Sequence, residues 1–217
     1  MKSGDDKLIE YLNLDELNLE HGCIIRLSDF PEFDVEEFFE TFPYLKDEYI
    51  YLRNSNLLID KQAAKSIKKD VKIGSFTMGE ILTLAEDGIL DNPNIKCDLI
   101  LDGRIDIEDF ENFPEFVREL GTKYDSVDRI KVGKAREIDF DELRWTDEET
   151  IDFFSKIGEL DLDFCKIDKL REKIKKIPEL AKKMIFLDTR DGNFKRIVNI
   201  DNARGILNNE SYGKYYI

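Results

Sequence analysis

The chain has 217 residues, of which 41% are hydrophobic and 37% are charged, and its formal net charge is −15. This balance excludes a disordered protein, because enough apolar residues are present to build a core. Net acidity argues against free duplex DNA as a partner, since DNA binding needs clustered cations. The sequence contains no apolar run of membrane-spanning length and no signal-peptide core. We therefore expect a cytoplasmic protein that makes no membrane contact.

Seven short segments repeat one pattern, an apolar residue, any residue, and a second apolar residue. Each predicts a strand that buries two side chains on one face and presents the middle one to solvent. From Ile50 onward the starts of these segments lie 21, 28, 31, 30 and 25 residues apart. In chain order the segments are Leu17-x-Leu19 (or, in another register, Ile25-x-Leu27), Ile50-x-Leu52, Val71-x-Ile73, Leu99-x-Leu101, Ile130-x-Val132, Leu160-x-Leu162 and Ile185-x-Leu187.

Helices are predicted between these strands. In a capping signal, a short polar residue stands three positions before an acidic one at the start of a helix. Such signals occur at Asp34-x-x-Glu37, Thr77-x-x-Glu80 and Thr146-x-x-Glu149. Pro178 should kink or divide a last helix over residues 168–183. A further helix is indicated by an apolar stripe whose aromatic rings we expect in the core, namely Phe110, Phe113, Phe116, Val117 and Leu120.

The best unit is Ile157-Gly-Glu-Leu160-Asp-Leu162-Asp-Phe-Cys165-Lys-Ile167. It resembles the leucine-rich repeat family, with a match at every defined position of the pattern L-x-x-L-x-L-x-x-N/C-x-L. The resemblance implies an α/β fold, a short leucine-rich-repeat-like solenoid with parallel strands on the concave face and helices on the convex face. It also implies a buried, structural role for Cys165. The alternative is a doubly wound or mixed α/β domain.

The predicted organisation has three parts. Residues 1–16 would form an N-terminal cap, residues 17–198 the leucine-rich-repeat-like solenoid, and residues 199–217 a C-terminal cap or tail.

Charge is distributed unevenly along the chain. Residues 1–120 hold all of the excess acid, and the charges of residues 121–217 sum to zero. An acidic surface favours association with basic proteins.

The resemblance implies a non-enzymatic scaffold that recognises a protein partner through the concave face, and the acidic net charge favours a basic partner. Tyr51, Ile100 and Phe186 would be apolar anchors among charged neighbours, which is how binding energy is concentrated at interfaces. The predicted partner-binding residues are the solvent-facing strand positions Tyr51, Arg53, Lys72, Ile100, Asp102, Lys131, Asp161, Asp163, Phe186 and Asp188.

The alternative function is a regulatory or inhibitory factor that docks on a large ribonucleoprotein assembly such as the ribosome. Residues 166–196 contain eleven Lys and Arg against five Asp and Glu, and such a segment could contact RNA phosphates. The possible RNA or anion contacts are Lys169, Lys173, Lys176, Lys182, Lys183, Arg190, Lys195 and Arg196.

An enzyme is not expected. His21 is the one histidine, and although Cys23 is close to it in sequence, no third group can be assigned to orient this pair. The three cysteines and the single histidine lack the spacing of a zinc site, and the cysteines lack that of a disulfide framework. We therefore predict no catalytic residues, no metal and no cofactor.

Overall fold

The computed structural model describes residues 24–27, 34–101, 107–133, 135–188 and 194–202. The chain divides into two compact units, Met1–Lys68 and Lys69–Ile217. The predicted N-terminal cap, the segment Leu17-x-Leu19 and most of the predicted tail lie outside the described residues.

The first unit contains an antiparallel sheet in which β3 lies between β1 and β2. Its strands are β1 (Ile24–Arg26), β2 (Tyr49–Leu52) and β3 (Leu57–Asp60). β2 and β3 form a hairpin whose connection ends at Asn56, with φ 47°. Asn accepts this left-handed conformation more readily than most residues, because its short polar side chain bonds locally.

Two helices complete the described part of the first unit, α1 (Val35–Thr41) and α2 (Lys61–Ser66). Each is capped by an aspartate that accepts two backbone N–H bonds, Asp34 for α1 and Asp60 for α2. The predicted start of α1 at Asp34 is thus confirmed. The buried side chains of this unit include an aromatic and aliphatic cluster of Leu27, Phe38, Phe42, Leu45, Tyr49 and Leu58.

The second unit begins with a parallel sheet of strand order β4-β5-β6. The strands are β4 (Val71–Phe76), β5 (Ile95–Leu101) and β6 (Val127–Val132). Helix α3 (Met78–Glu86) follows β4, and helix α4 (Ile107–Leu120) follows β5. The predicted capping box of α3 is present, because Thr77 and Glu80 bond reciprocally to each other's backbone N–H groups.

A mixed sheet of order β7-β8-β10-β9 continues the second unit. Its strands are β7 (Ala135–Arg136), β8 (Glu159–Asp163), β9 (Met184–Asp188) and β10 (Phe194–Asn199). The remaining described helices are α5 (Asp147–Lys156), α6 (Asp168–Lys176) and α7 (Pro178–Ala181). Thr146 and Glu149 cap α5 as predicted, and Pro178 begins α7, which confirms the predicted division of the last helix.

Aromatic rings fill the core of the second unit between its helices and strands. Phe110, Phe113 and Phe116 of α4 are buried, as their helical spacing predicts. The indole N–H of Trp145 donates to the Phe110 carbonyl at 3.0 Å, so this large side chain is buried with its donor satisfied. Cys165 is also buried, and its Sγ accepts the backbone N–H of Ile138, in keeping with a structural role.

The predicted solenoid is wrong. The described residues form three small sheets in place of one continuous parallel sheet. Ile50-x-Leu52 pairs antiparallel with the neighbouring strand β3, and Ile185-x-Leu187 is separated from Leu160-x-Leu162 by the antiparallel strand β10. Alternating apolar residues specify a half-buried strand, but they do not specify its partner or direction.

Candidate functional site

The strands of the second unit have two sides, and one of them carries the buried apolar side chains. We call the opposite side the polar face, and five of the predicted partner-binding residues lie on it. It carries alternate residues of β4, β5, β6 and β8, while Leu99, Leu160 and Leu162 point into the core. The predicted residues on the polar face are Lys72, Ile100, Lys131, Asp161 and Asp163.

The other predicted partner-binding residues are not part of this group. Tyr51 and Arg53 belong to the first unit, and Asp102 lies outside the described residues. Asp188 is the last residue of β9. The prediction that Phe186 faces solvent is wrong, because the side chain is buried and the guanidinium of Arg171 lies over its ring, 5.1 Å from the centroid.

The centre of the polar face is a buried carboxylate that the sequence interpretation missed. Asp98 of β5 lies between Lys72 on β4 and Lys131 on β6, with N–O distances of 2.6 Å and 2.8 Å. Lys131 also donates to the Ser75 hydroxyl at 3.0 Å. The signal was present in the sequence, since an aspartate interrupts the otherwise apolar end of β5, where a charge is tolerated only with partners.

Asp128 extends this ion network at the edge of the sheet. Its Oδ2 accepts a bond from Lys72 at 2.8 Å, and this bond lowers the pKa of the Asp128 carboxyl. Burial disfavours the charged form of Lys72, but the hydrogen bonds to Asp128 and Asp98 outweigh burial and raise the pKa of Lys72. The network holds three neighbouring strands together through their side chains as well as their backbones.

A cleft of about 330 Å³ opens between β6 and β8 on the polar face. Beside the cleft, a parallel bridge joins Ile130 of β6 to Ile157, two residues before β8 begins. One wall is cationic and the other is acidic, and glycines line part of the surface, so the backbone is accessible there. The cleft is lined by Arg129, Ile130, Lys131, Val132, Gly133, Gly158, Glu159, Asp161 and Asn202.

The first unit carries a second depression, of about 550 Å³, which we call the Tyr51 groove. Its floor is formed by side chains that pack against the core but stay partly exposed, namely Val35, Phe39 and Tyr51. The hydroxyl of Tyr51 lies 3.4 Å from the Asn56 side-chain oxygen, to which it donates. The groove is lined by Val35, Glu36, Phe39, Glu40, Lys46, Tyr49 and Tyr51.

Four of the eight basic residues predicted to contact RNA make bonds within the molecule. Lys173 donates to the Trp145 carbonyl, Lys183 pairs with Asp201 at 2.8 Å, and Lys195 donates to the Cys165 carbonyl at 3.2 Å. Arg196 is held by the two acids of the cleft. Arg190 lies outside the described residues. The exposed members are Lys169, Lys176, Lys182 and the ion-paired Lys183.

The thiols near these sites are not suited to nucleophilic chemistry. Burial raises the pKa of the Cys97 thiol to about 12, and burial also raises the pKa of Cys165. The reactive thiolate is therefore scarce at neutral pH. His21 and Cys23 lie outside the described residues. Within the described ranges, no cluster of three His, Cys, Asp or Glu side chains is placed to hold a metal ion.

Comparison with known proteins gives no assignment, because no family model, curated protein or solved structure matches this chain. Among the described residues, no helix has both the length and the apolar character needed to span a membrane.

Proposed function

We propose that this protein is a non-enzymatic recognition module that binds a basic segment of a partner protein in the Tyr51 groove. The observation that carries this proposal is an apolar floor with an acidic rim at one place on the first unit. Phe39 and Tyr51 retain exposed area although they pack on the core. Exposed aromatic side chains surrounded by polar groups are typical anchors of protein interfaces.

The charge of the rim indicates the chemistry of the partner. Glu36 and Glu40 are four residues apart on α1, so they lie on the same side of this helix, and Lys46 is the cation among the lining residues. A lysine or arginine of a partner could lay its aliphatic stem on the Tyr51 ring and place its charge beside these glutamates. The excess of acid in residues 1–120 would also accelerate encounter with a basic partner.

The proposal is tested with a fluorescent amphipathic peptide of leucine and lysine, compared with a leucine and glutamate peptide of equal length. We expect the lysine peptide to bind the full chain and the glutamate peptide not to bind. Tyr51→Ala should weaken binding about tenfold, which is about 1.4 kcal/mol. Tyr51→Phe should bind nearly as well as the unmodified protein, because it keeps the ring. Fluorescence anisotropy at two salt concentrations gives the affinities.

The matched control is Tyr44→Ala, because Tyr44 is half-exposed in the same unit but does not line the groove. Neither tyrosine variant changes the net charge. A general attraction between the acidic chain and a basic peptide would therefore survive in both variants. Equal affinities for the unmodified protein, Tyr51→Ala and Tyr44→Ala would reject the groove as the binding site.

Two other predictions from the sequence concern the cellular location and ribonucleoprotein docking. The cytoplasmic location inferred from the sequence stays a prediction. Docking on a ribonucleoprotein also stays a prediction, and the internal bonds of Lys173, Lys183, Lys195 and Arg196 leave it with less support than protein recognition.

A further inference from the structure

We infer that the cleft between β6 and β8 binds a small dipolar ligand of the α-amino acid class. The anionic group of the ligand would lie against Arg129 and Lys131, and its ammonium group against Glu159 and Asp161. This inference goes beyond partner recognition, because it concerns the second unit and a small molecule. A cleft of about 330 Å³ is at the lower end of the range for small-molecule sites.

The cationic wall retains capacity to bind an anion. The side chain of Arg129 is 43% exposed, and its ion pair with Asp128 is long, at 4.0 Å. The same Asp128 oxygen accepts a much shorter bond from Lys72, at 2.8 Å. A planar guanidinium in this position matches a carboxylate, which it binds through two parallel hydrogen bonds.

Lys131 adds a second donor to this wall. Its ammonium bonds to Asp98 and Ser75, and a lysine ammonium carries three N–H donors. The side chain is 56% exposed and lines the cleft, with its ammonium directed toward Asp98 on β5 and Ser75 on β4. Its bonds to Asp98 and Ser75 hold it in place before a ligand arrives, which lowers the entropy cost of binding.

The acidic wall has one negative charge in excess. Arg196 pairs with Glu159 at 2.6 Å and with Asp161 at 2.5 Å, so one guanidinium serves two carboxylates. Burial raises the pKa of the Glu159 carboxyl even though Arg196 acts in the opposite direction. The charged form of Glu159 is thus incompletely compensated, and a ligand ammonium between the two carboxylates would supply the missing positive charge.

The arrangement selects against ligands with one kind of charge. A simple anion would meet the excess negative charge of Glu159 and Asp161, and a simple cation would meet Arg129 and Lys131. A ligand with both charges a few bonds apart satisfies both walls. Gly133 and Gly158 line the cleft without side chains, which leaves room for a substituent on the ligand.

The test uses the full chain and free L-amino acids as probes. The twenty common amino acids are screened by thermal shift, and those that raise the melting temperature are measured by calorimetry together with their N-acetyl and carboxamide derivatives. We expect at least one amino acid to bind, and we expect both of its derivatives to lose at least tenfold in affinity, because each derivative lacks one of the two charges.

Variants assign the binding to the cleft. Arg129→Ala and Glu159→Gln should each weaken binding at least tenfold, whereas Arg144→Ala and Glu148→Gln, at exposed positions outside the cleft, should not. Arg129 is half-exposed and loosely paired, so its variant is expected to fold. Lack of binding by all twenty amino acids at millimolar concentration, or full binding by an N-acetyl derivative, would overturn the inference.

Discussion

The ammonium of Lys72 lies 2.6 Å from a carboxylate oxygen of Asp98, across two neighbouring parallel strands. The Asp98 side chain is only 2% exposed, and its other oxygen is paired with Lys131. A buried carboxylate thus joins the three strands of the parallel sheet. Because a buried charge without partners is very costly, the two lysines and Asp98 depend on one another.

Replacement of Asp98 should destabilise the protein. Asp98→Ala leaves Lys72 and Lys131 close to each other without the negative charge between them. Both lysines are about half-exposed, so water compensates part of the loss, and we expect a decrease of about 1–3 kcal/mol in the free energy of unfolding. Urea denaturation measures this value. The control Asp128→Ala removes a more exposed partner of Lys72 and should cost less than about 1 kcal/mol. Equal losses in the two variants would contradict the central role of Asp98.

Asp128 should make stability depend on pH in the acidic range. Its pKa in the folded protein is lowered by the bond from Lys72, so below its ordinary pKa of about 4 the unfolded chain binds more protons at this site. The stabilisation is present above that pH and is lost as the pH falls through the folded value. Asp128→Asn should therefore reduce the slope of unfolding free energy against pH below about pH 4. An unchanged slope would show that the bond does not persist in solution.

Replacement of Phe164 by glycine should stabilise the protein. It has φ 56°, a left-handed conformation that costs most L-residues about 1 kcal/mol or more, and its side chain is 65% exposed. Phe164→Gly removes the steric cost and little buried surface, so we expect a gain of about 1 kcal/mol, measured by thermal and urea unfolding. Tyr44→Gly is the control, because Tyr44 is exposed but is not among the left-handed residues, and this variant should lose stability. A loss at Phe164 would indicate that its ring packs in solution.

Part of the fold was predictable because its causes are local. Thr77 and Thr146 begin helices because each bonds to backbone N–H groups within the next turn, and Pro178 divides a helix because it lacks an N–H. The segments from Ile50-x-Leu52 to Ile185-x-Leu187 all lie in strands, since alternation records which residues are half-buried.

Alternation could not predict which residues of β9 are buried and which face solvent. β9 contains a continuous apolar run, Met184, Ile185, Phe186 and Leu187. Either set of alternate residues in this run could therefore be the buried one. Packing of Arg171 over Phe186 and pairing of β9 with β10 decide that Met184 and Phe186 are buried. The predicted anchor Phe186 was therefore assigned to the wrong side of the sheet.

The sequence by itself determined the starts of α1, α3 and α5, the division of the last helix at Pro178, and the strand segments of β2, β4, β5, β6, β8 and β9. It also indicated that Tyr51 keeps exposed area. Only the tertiary structure decided the pairing of β2 with β3, the antiparallel strand β10 between β8 and β9, and the position of Asp98 between two lysines. The reason is the range of the interactions. Caps and alternation act within a few residues, whereas strand order and ion networks join residues far apart in the chain, whose meeting depends on the packing of the whole unit.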